Sequence, residues 1–471
     1  MLISQNMLGM TNRFCYLRNV NYYLDRFSVR EELIKQKPTT DLGIVVVIPC
    51  SNEPNLIASL QSLYNCDKPT CSVEVIVVIN ASEKAESIVL LQNKTSLLEA
   101  EEWKSNSFNE IALLRQAQYK LNLAMTFYFI EENELPKKHA GVGLARKIGM
   151  DEAVRRFDMI NNHQGIIACF DADALCETNY LVELEKHFKQ YPKSPACSIH
   201  YEHPITGNEF PEAIYNGITQ YELHLRYYKN GLAYANLPYA FHTIGSSMAV
   251  RSEAYQKQNG MNKRKAGEDF YFLQKLIPLG NFTELKTTKI IPSPRVSDRV
   301  PFGTGKAMQN WLGDAYNVCR YSLSSDNRIN ENSAKQGLSE KGTIRVAKQE
   351  LLSYNPKSFI DLKAFTKAVP DFYNGKNNIP SSVQAFIDTI DFEENLTNIK
   401  KNSKSETHFT EVFFKWFNAF KVLKYMHFAR DNYYPDVLVF EGANSLLKFL
   451  EQPRQKDNEN LLLAYREIDL R

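Results

Sequence analysis

The sequence predicts an α/β fold: an open, mostly parallel sheet, then a mainly helical C-terminal part. The short, wholly apolar run Gly43–Pro49 suits a strand buried on both faces, as in parallel sheets, and Val73–Ile79, apolar but for Glu74, reads as a second strand. One helical segment separates those two runs, and the right-handed crossover rule makes strands joined this way parallel. Beyond about residue 310, Asn, Lys and Ser rise, strand signals fade and helical periodicity takes over.

Composition bounds the function. A chain of 471 residues exceeds what one hydrophobic core serves, and a hydrophobic content of 44% with 12% aromatics fills a core easily. A net charge of +2 offers no overall basic field for nucleic acid. No apolar run approaches the length that spans a bilayer. The N-terminus, MLISQNMLGMTNRFCYLRNV, lacks a basic start followed by a continuous apolar stretch, so no signal peptide is expected. The eight Cys are scattered singly with no C-x-x-C, which reads as reduced cysteine in a cytoplasmic protein, not a disulfide framework or zinc site.

The elements follow in order. Residues 1–40 form an N-terminal extension expected to pack on the core. After the Gly43–Pro49 strand, Leu56, Ile57, Leu60, Leu63 and Tyr64 have helical spacing. The Val73–Ile79 strand ends at Asn80-Ala81-Ser82, read either as a turn or as a ligand-facing strand end. Residues 83–124 are charged and helix-prone, an insertion before a third strand at Met125–Ile130. A loop with Pro136, Lys137 and Lys138 leads to Gly141 and Gly143, then to a helix running to Phe157. Strands are expected at Ile166–Phe170, Pro195–His200, Ile244–Arg251 and Lys289–Pro292, and helices at 211–230 and Phe270–Leu279. The core domain spans 41–310 and the C-terminal helical domain 311–471. Within the latter, Phe409, Val412, Phe413, Trp416, Phe417, Phe420 and Leu423 predict one amphipathic helix, read as a core helix or, alternatively, a membrane-surface helix.

Four segments carry chemistry. The apolar run from Ile166 ends abruptly in Asp171-Ala172-Asp173. Ligands bind outside the carboxyl ends of strands in open α/β sheets. Ionised Asp is costly in a core, so the pair belongs at a crevice, meeting a cation. In the Gly141–Gly149 segment two glycines permit close backbone approach, the helix N-terminus favours phosphate, and Arg146 adds a donor. Glu268 and Asp269 follow Gly267: one caps a helix start, the other is a candidate general base. Arg295, Arg299 and Lys306 mark a loop able to close over an anionic leaving group, or a plain basic linker.

Taken in order, Val-Val-Val-Ile-Pro-Cys-Ser-Asn-Glu, Glu-Val-Ile-Val-Val-Ile-Asn-Ala-Ser, Gly-Val-Gly-Leu-Ala-Arg, Asp-Ala-Asp, Gly245–Arg251 and Gly267-Glu-Asp269 resemble the family 2 glycosyltransferases of the GT-A fold, over roughly residues 43–300. The resemblance implies transfer of a sugar from a nucleotide diphosphate sugar to an acceptor hydroxyl, with inversion. It implies that Pro49, Asn52, Glu53, Asn80, Arg146, Asp171 and Glu268 contact the nucleotide sugar. Asp171 and Asp173 would hold Mg²⁺ or Mn²⁺, and Asp269 would be the catalytic base. His242 and Asp298 are candidates for a third metal ligand. The family often has Asp where this chain has Ile79, so base recognition is expected to differ. The implied acceptor is a glycan or lipid-linked hydroxyl, with the protein in the cytoplasm or at the inner membrane face. Two other readings compete. A phosphohydrolase of the haloacid dehalogenase type would use Asp171 as nucleophile, although Leu175 matches that pattern imperfectly. A non-catalytic sugar-nucleotide binder would not need both Asp173 and Asp269.

Overall fold

The computed structural model describes residues 21–116, 125–299, 303–313, 350–375 and 378–471. In chain order they form α1 (Tyr22–Phe27), β1 (Leu42–Cys50), α2 (Leu56–Tyr64), β2 (Ser72–Ser82), α3 (Ser87–Gln116), β3 (Met125–Leu135), α4 (Val142–Met159), β4 (Ile166–Cys169), β5 (Leu175–Cys176) and α5 (Tyr180–Gln190). There follow β6 (Ala196–Tyr201), α6 (Glu212–Tyr234), β7 (Met248–Arg251), α7 (Ser252–Lys257), α8 (Glu268–Leu276), β8 (Thr283–Ile291) and α9 (Thr304–Leu312). From Pro356 on the chain is almost wholly helical, so the molecule is α/β with a helical C-terminal part.

Two compact units emerge. The first holds residues up to Pro54, Pro69–Cys169 and Ala249–Arg264. The second holds Asn55–Lys68, Phe170–Met248 and the chain from Lys265 on.

In the first unit, four parallel strands run in the order β3-β2-β1-β4. Ile44 to Ile48 is fully buried, as an apolar run covered on both faces requires. Gly149 lets α4 lie close on this sheet, because a Cβ there would come within 2.5 Å of Val47 Cγ1. The chain from Asn21 is stitched to α4. Asn21 caps α1 and donates to Asp158 at 2.8 Å. Tyr23 donates to Asp151 at 2.6 Å, and Glu152 accepts the backbone N–H groups of Leu33 and Ile34. Residues 1–20 of the expected extension lie outside the described residues.

In the second unit β6 pairs in parallel with β8, and β8 pairs antiparallel with β5. The long helix α6 is its spine. Gly231 allows Phe359 to pack directly against it, since a Cβ there would meet Phe359 Cε1 at 2.5 Å. Thr366 donates to the Ala235 carbonyl at 2.6 Å, and Tyr239 to the Phe417 carbonyl at 2.7 Å. A buried ion network ties the last helix, Asn458–Leu470, to α6. Glu222 accepts from Arg226 and Arg466, each at 2.8 Å. Asp469 accepts from Arg226 at 2.6 Å and Lys229 at 3.0 Å. The domain boundary expected near 310 adjoins residues 314–349, which lie outside the described residues.

Several expectations need correction. Asn80-Ala81-Ser82 continues β2 and is not a turn. The strand expected at 244–251 is confined to β7, because Ser247 turns back to Ile244. The helix-prone insertion forms one continuous helix, α3, from Ser87 to Gln116, and 117–124 lie outside the described residues. The expected single amphipathic helix over 409–423 is two helices, Glu406–Trp416 and Ala419–Asn432. Asn418 breaks it by capping the second helix, its side chain accepting from Phe420 and Lys421 N–H. Phe409, Phe413 and Phe417 are fully buried, and Phe413 stacks within a cluster of rings that includes Phe365, Phe372 and Phe392. Those positions of the stripe therefore form a core seam. Among the described residues no helix is long and apolar enough to cross a membrane.

Candidate functional site

In the first unit, parallel register brings the carboxyl ends of β1, β2 and β3 level, with Cys50 opposite Ile79 and Ile79 opposite Glu131. Pro49 is half-buried at the end of β1. Asn52 takes the left-handed conformation with φ 51°, one that Asn tolerates, and its N–H donates to Asn93 Oδ1 at 2.8 Å. Glu53 is buried, and its carbonyl accepts from Ser96 Oγ at 2.6 Å. Asn80 is buried too. Its Nδ2 donates to the Cys50 carbonyl at 2.8 Å, so the two strand ends are cross-linked.

Asn93 is the group that sequence reasoning missed. Fully buried on α3, it also donates to the Asn80 carbonyl at 3.0 Å and to Asn133 Oδ1 at 2.9 Å. One side chain thus joins the β1 loop, the end of β2 and the end of β3. Ser96, which holds the Glu53 carbonyl, is three residues on, the spacing that puts both on one helical face. That i,i+3 pair of polar residues was the available signal within a segment read as a helical insertion. Ile79 is fully buried inside β2, where a carboxylate would lose its hydration.

Arg146 lies in the second turn of α4 and is 1% exposed, so it is not a surface arginine. Gly141 and Gly143 flank the start of the same helix.

In the second unit, Asp171 directly follows Phe170, the last apolar residue of the β4 run, and Asp171 and Asp173 are half-buried, alternating with the buried Ala172 and Ala174. The Ala174 N–H closes a turn on the Asp171 carbonyl at 3.1 Å. Arg295 donates through Nε to Asp173 Oδ2, and Arg299 Nη2 stands 3.9 Å from the same oxygen. The Arg295–Arg299 loop is held by Ser297, whose N–H donates to the Gly305 carbonyl at 3.1 Å. The segment read as a basic loop therefore brings two cations to the D-x-D pair. Lys306, the third, donates instead to Gln309 at 2.7 Å, and Phe302 lies outside the described residues.

Gly267 caps α8 in the left-handed conformation, with φ 67°, and places Glu268 and Asp269 in the first turn. Glu268 is buried, whereas Asp269 is half-buried and accepts from Phe270 N–H at 2.7 Å. Burial, with the nearby Asp269 charge, pushes the Tyr221 hydroxyl up to about 12. Tyr221 also lines a cavity of about 250 Å³ with His224, Trp311, Asn310 and Leu351.

Among the described residues no group of three or more His, Cys, Asp or Glu forms a ready-made metal cage. Asp171 and Asp173 fit the looser mode, in which one or two carboxylates share Mg²⁺ or Mn²⁺ with phosphate oxygens and water. His242, a candidate third ligand, is engaged elsewhere: its Nε2 lies 3.0 Å from Asp469. Asp298 lies on the Arg295–Arg299 loop.

No protein-family model and no curated protein sequence matches the chain. Among solved structures, the crystal structure of S. aureus TarS 1–349 in complex with UDP is 12% identical, at a TM-score of 0.34, over 60% of this chain and 75% of that one. The same fragment in complex with UDP-GlcNAc is 14% identical, at a TM-score of 0.33, over 80% and 91%. S. aureus TarS itself is 13% identical, at a TM-score of 0.34, over 73% of this chain and 50% of that one. Likeness at this identity and TM-score does not fix an activity.

Proposed function

We propose that this chain is a GT-A glycosyltransferase of the family 2 type, moving a sugar from a nucleotide diphosphate sugar to an acceptor hydroxyl with inversion. The observation that carries the reading is the D-x-D pair at the end of a buried strand, with two arginines gathered on its second carboxylate. Carboxylates and arginines meet where a site must manage concentrated phosphate charge.

In this reading Asp171 and Asp173 hold Mg²⁺ or Mn²⁺. The ion, when bound, offsets the charge of the departing diphosphate. Pro49, Asn52, Glu53 and Asn80 form the nucleoside side, held by Asn93 and Ser96. Arg146 would serve the base or diphosphate, and Glu268 the sugar nucleotide. Asp269 takes the proton of the acceptor hydroxyl, which makes that oxygen a competent nucleophile. One base on the face opposite the leaving group gives inversion. With Ile79 in place of a carboxylate, the base is read differently from most of the family. The acceptor is a glycan or lipid-linked hydroxyl, reached from the cytoplasm or the inner membrane face.

The test is a panel of nucleotide sugars incubated with Mn²⁺, assayed for released nucleoside diphosphate. Release from one donor, accelerated by acceptor, supports transfer. Orthophosphate release from simple phosphoesters would replace this reading with a phosphohydrolase. Binding without release would leave a non-catalytic binder.

A further inference from the structure

The thiols of Cys66 and Cys176 face each other, their sulfurs 3.5 Å apart and both free. The approach is built into the second unit. Ser59 and Ser62 share one face of α2, and Cys66 lies just past its C-terminal cap, its thiol donating to the Ser62 carbonyl at 3.5 Å. Along that face the segment following Asp173 is pinned. Ser59 Oγ donates to the Ala174 carbonyl at 2.7 Å, and Ser62 Oγ accepts the Cys176 N–H at 3.0 Å. The Asp67 N–H donates to the Thr178 carbonyl at 2.7 Å. The two sulfurs are thus held at van der Waals contact by hydrogen bonds on either side. Closing to a disulfide, about 2.05 Å, asks for about 1.5 Å of relative movement, within the reach of side-chain rotation.

The two thiols differ chemically. The hydrogen bond from Cys176 lowers Cys66, with the Lys68 charge assisting against burial. The same contact, with burial, raises Cys176. Cys66, buried at 3% exposure, is the readier thiolate by charge, and Cys176, half-buried, is the resolving thiol.

We propose that Cys66 and Cys176 form a peroxide-responsive modification site that closes to a disulfide. The Cys66 thiolate attacks one oxygen of hydrogen peroxide. The O–O bond breaks, Cys66 becomes a sulfenic acid, and the departing hydroxide takes up a proton to give water. The Cys176 sulfur then attacks the Cys66 sulfur, and the S–O bond breaks. The Cys176 proton leaves with that oxygen as a second water. In sum, two thiols and one peroxide give one disulfide and two waters. The bond fixes residues 174–178, immediately beyond the D-x-D pair, to α2. This chemistry stands apart from the transferase reading.

The experiment exposes the native, reduced protein to hydrogen peroxide, blocks remaining thiols with N-ethylmaleimide after denaturation, and maps peptides by mass spectrometry. The expected product is a Cys66–Cys176 linked peptide pair, two hydrogens lighter than its reduced components and separated by dithiothreitol. Cys176→Ser is expected to trap Cys66 as a sulfenic acid that dimedone labels, and Cys66→Ser to leave Cys176 alkylated. The proposal is overturned if both thiols in the wild type still carry maleimide after treatment. Linkage of either thiol to a different cysteine also overturns it.

Discussion

Arg295 and Asp173, 122 residues apart in sequence, form an ion pair through Nε and Oδ2, with Arg299 Nη2 3.9 Å from the same oxygen. A carboxylate shared with arginine is a weaker ligand, because guanidinium and divalent cation compete for the same lone pairs. Arg295→Gln is therefore expected to tighten Mn²⁺ binding in the absence of nucleotide, by up to about tenfold, or 1.4 kcal/mol. Nucleotide-sugar turnover is expected to fall in the same variant, since the loop loses a cation that can meet the diphosphate. Mn²⁺ titration by electron paramagnetic resonance checks the first outcome. An unchanged affinity would mean that the pair does not guard the D-x-D site.

Asp269 is the proposed base. Asp269→Asn keeps the side-chain size and an oxygen for the Phe270 N–H but cannot take a proton. Turnover is expected to fall by about 10²–10⁴-fold, the range for general-base loss, with donor affinity little changed. Steady-state kinetics beside calorimetric donor binding separates the two quantities. Loss of binding with unchanged turnover at saturation would assign Asp269 to recognition instead.

Asn93 joins the β1 loop to the ends of β2 and β3 through hydrogen bonds with Asn52, Asn80 and Asn133, the one to the Asn80 carbonyl fully buried. Asn93→Ala leaves Asn52 N–H and the Asn80 carbonyl without this partner, at a cost of about 1–3 kcal/mol for each group left buried and unsatisfied. The β1 loop with Asn52 and Glu53 loosens. Nucleotide-sugar KM is expected to rise several-fold with kcat nearly unchanged, since Asn93 would act through nucleoside positioning. A fall in kcat alone would contradict that role.

Stability is expected to decline with acid in two steps. Burial lowers the His224 imidazole to about 4, so the folded protein keeps it neutral. Below the unfolded-state value near 6.5 the unfolded chain binds a proton that the folded chain refuses. The contribution is fully present above about pH 6.5 and is lost as pH falls toward 4, by at most roughly 3–4 kcal/mol. Burial raises Glu222 and Asp469. Arg226 with His203 and Arg466 around Glu222, and His242 with Arg226 and Lys229 around Asp469, override it and hold both carboxyls well below the usual range. Their contribution is present above the unfolded carboxylate values near 4 and is lost below them. Burial also lowers His187, His242 and His427, so His224→Gln is expected to reduce the decline between pH 6.5 and 4 without abolishing it and to leave the lower step, as read by thermal melts across pH. A decline of full size in the variant would assign it to other groups.

The strands of the first unit were legible because burial on both faces writes itself as an unbroken apolar run, as in Gly43–Pro49. The D-x-D pair was legible because its charges end such a run. Less visible was anything whose meaning depends on a distant partner. Asn93 and Ser96 sit in a helix of mixed polarity, and nothing local marks them as bracing strand ends. Asp469 is one of many acids in the sequence until folding buries it against Arg226 and Lys229. The stripe from Phe409 to Leu423 kept a helical period across a break, because Asn418 caps the second helix without disturbing the apolar spacing. His242 looked available as a ligand because its partner Asp469 is 227 residues away.

Mn²⁺ uptake in the presence of nucleoside diphosphate, followed by electron paramagnetic resonance, tests the role of Asp171 and Asp173 most directly. Wild-type protein is expected to bind the ion with nucleotide. The Asp171→Asn, Asp173→Asn double variant, with unchanged circular dichroism, is expected to bind it at least about tenfold more weakly. Equal Mn²⁺ affinity in the folded double variant would contradict the assignment of the D-x-D pair as the cation site.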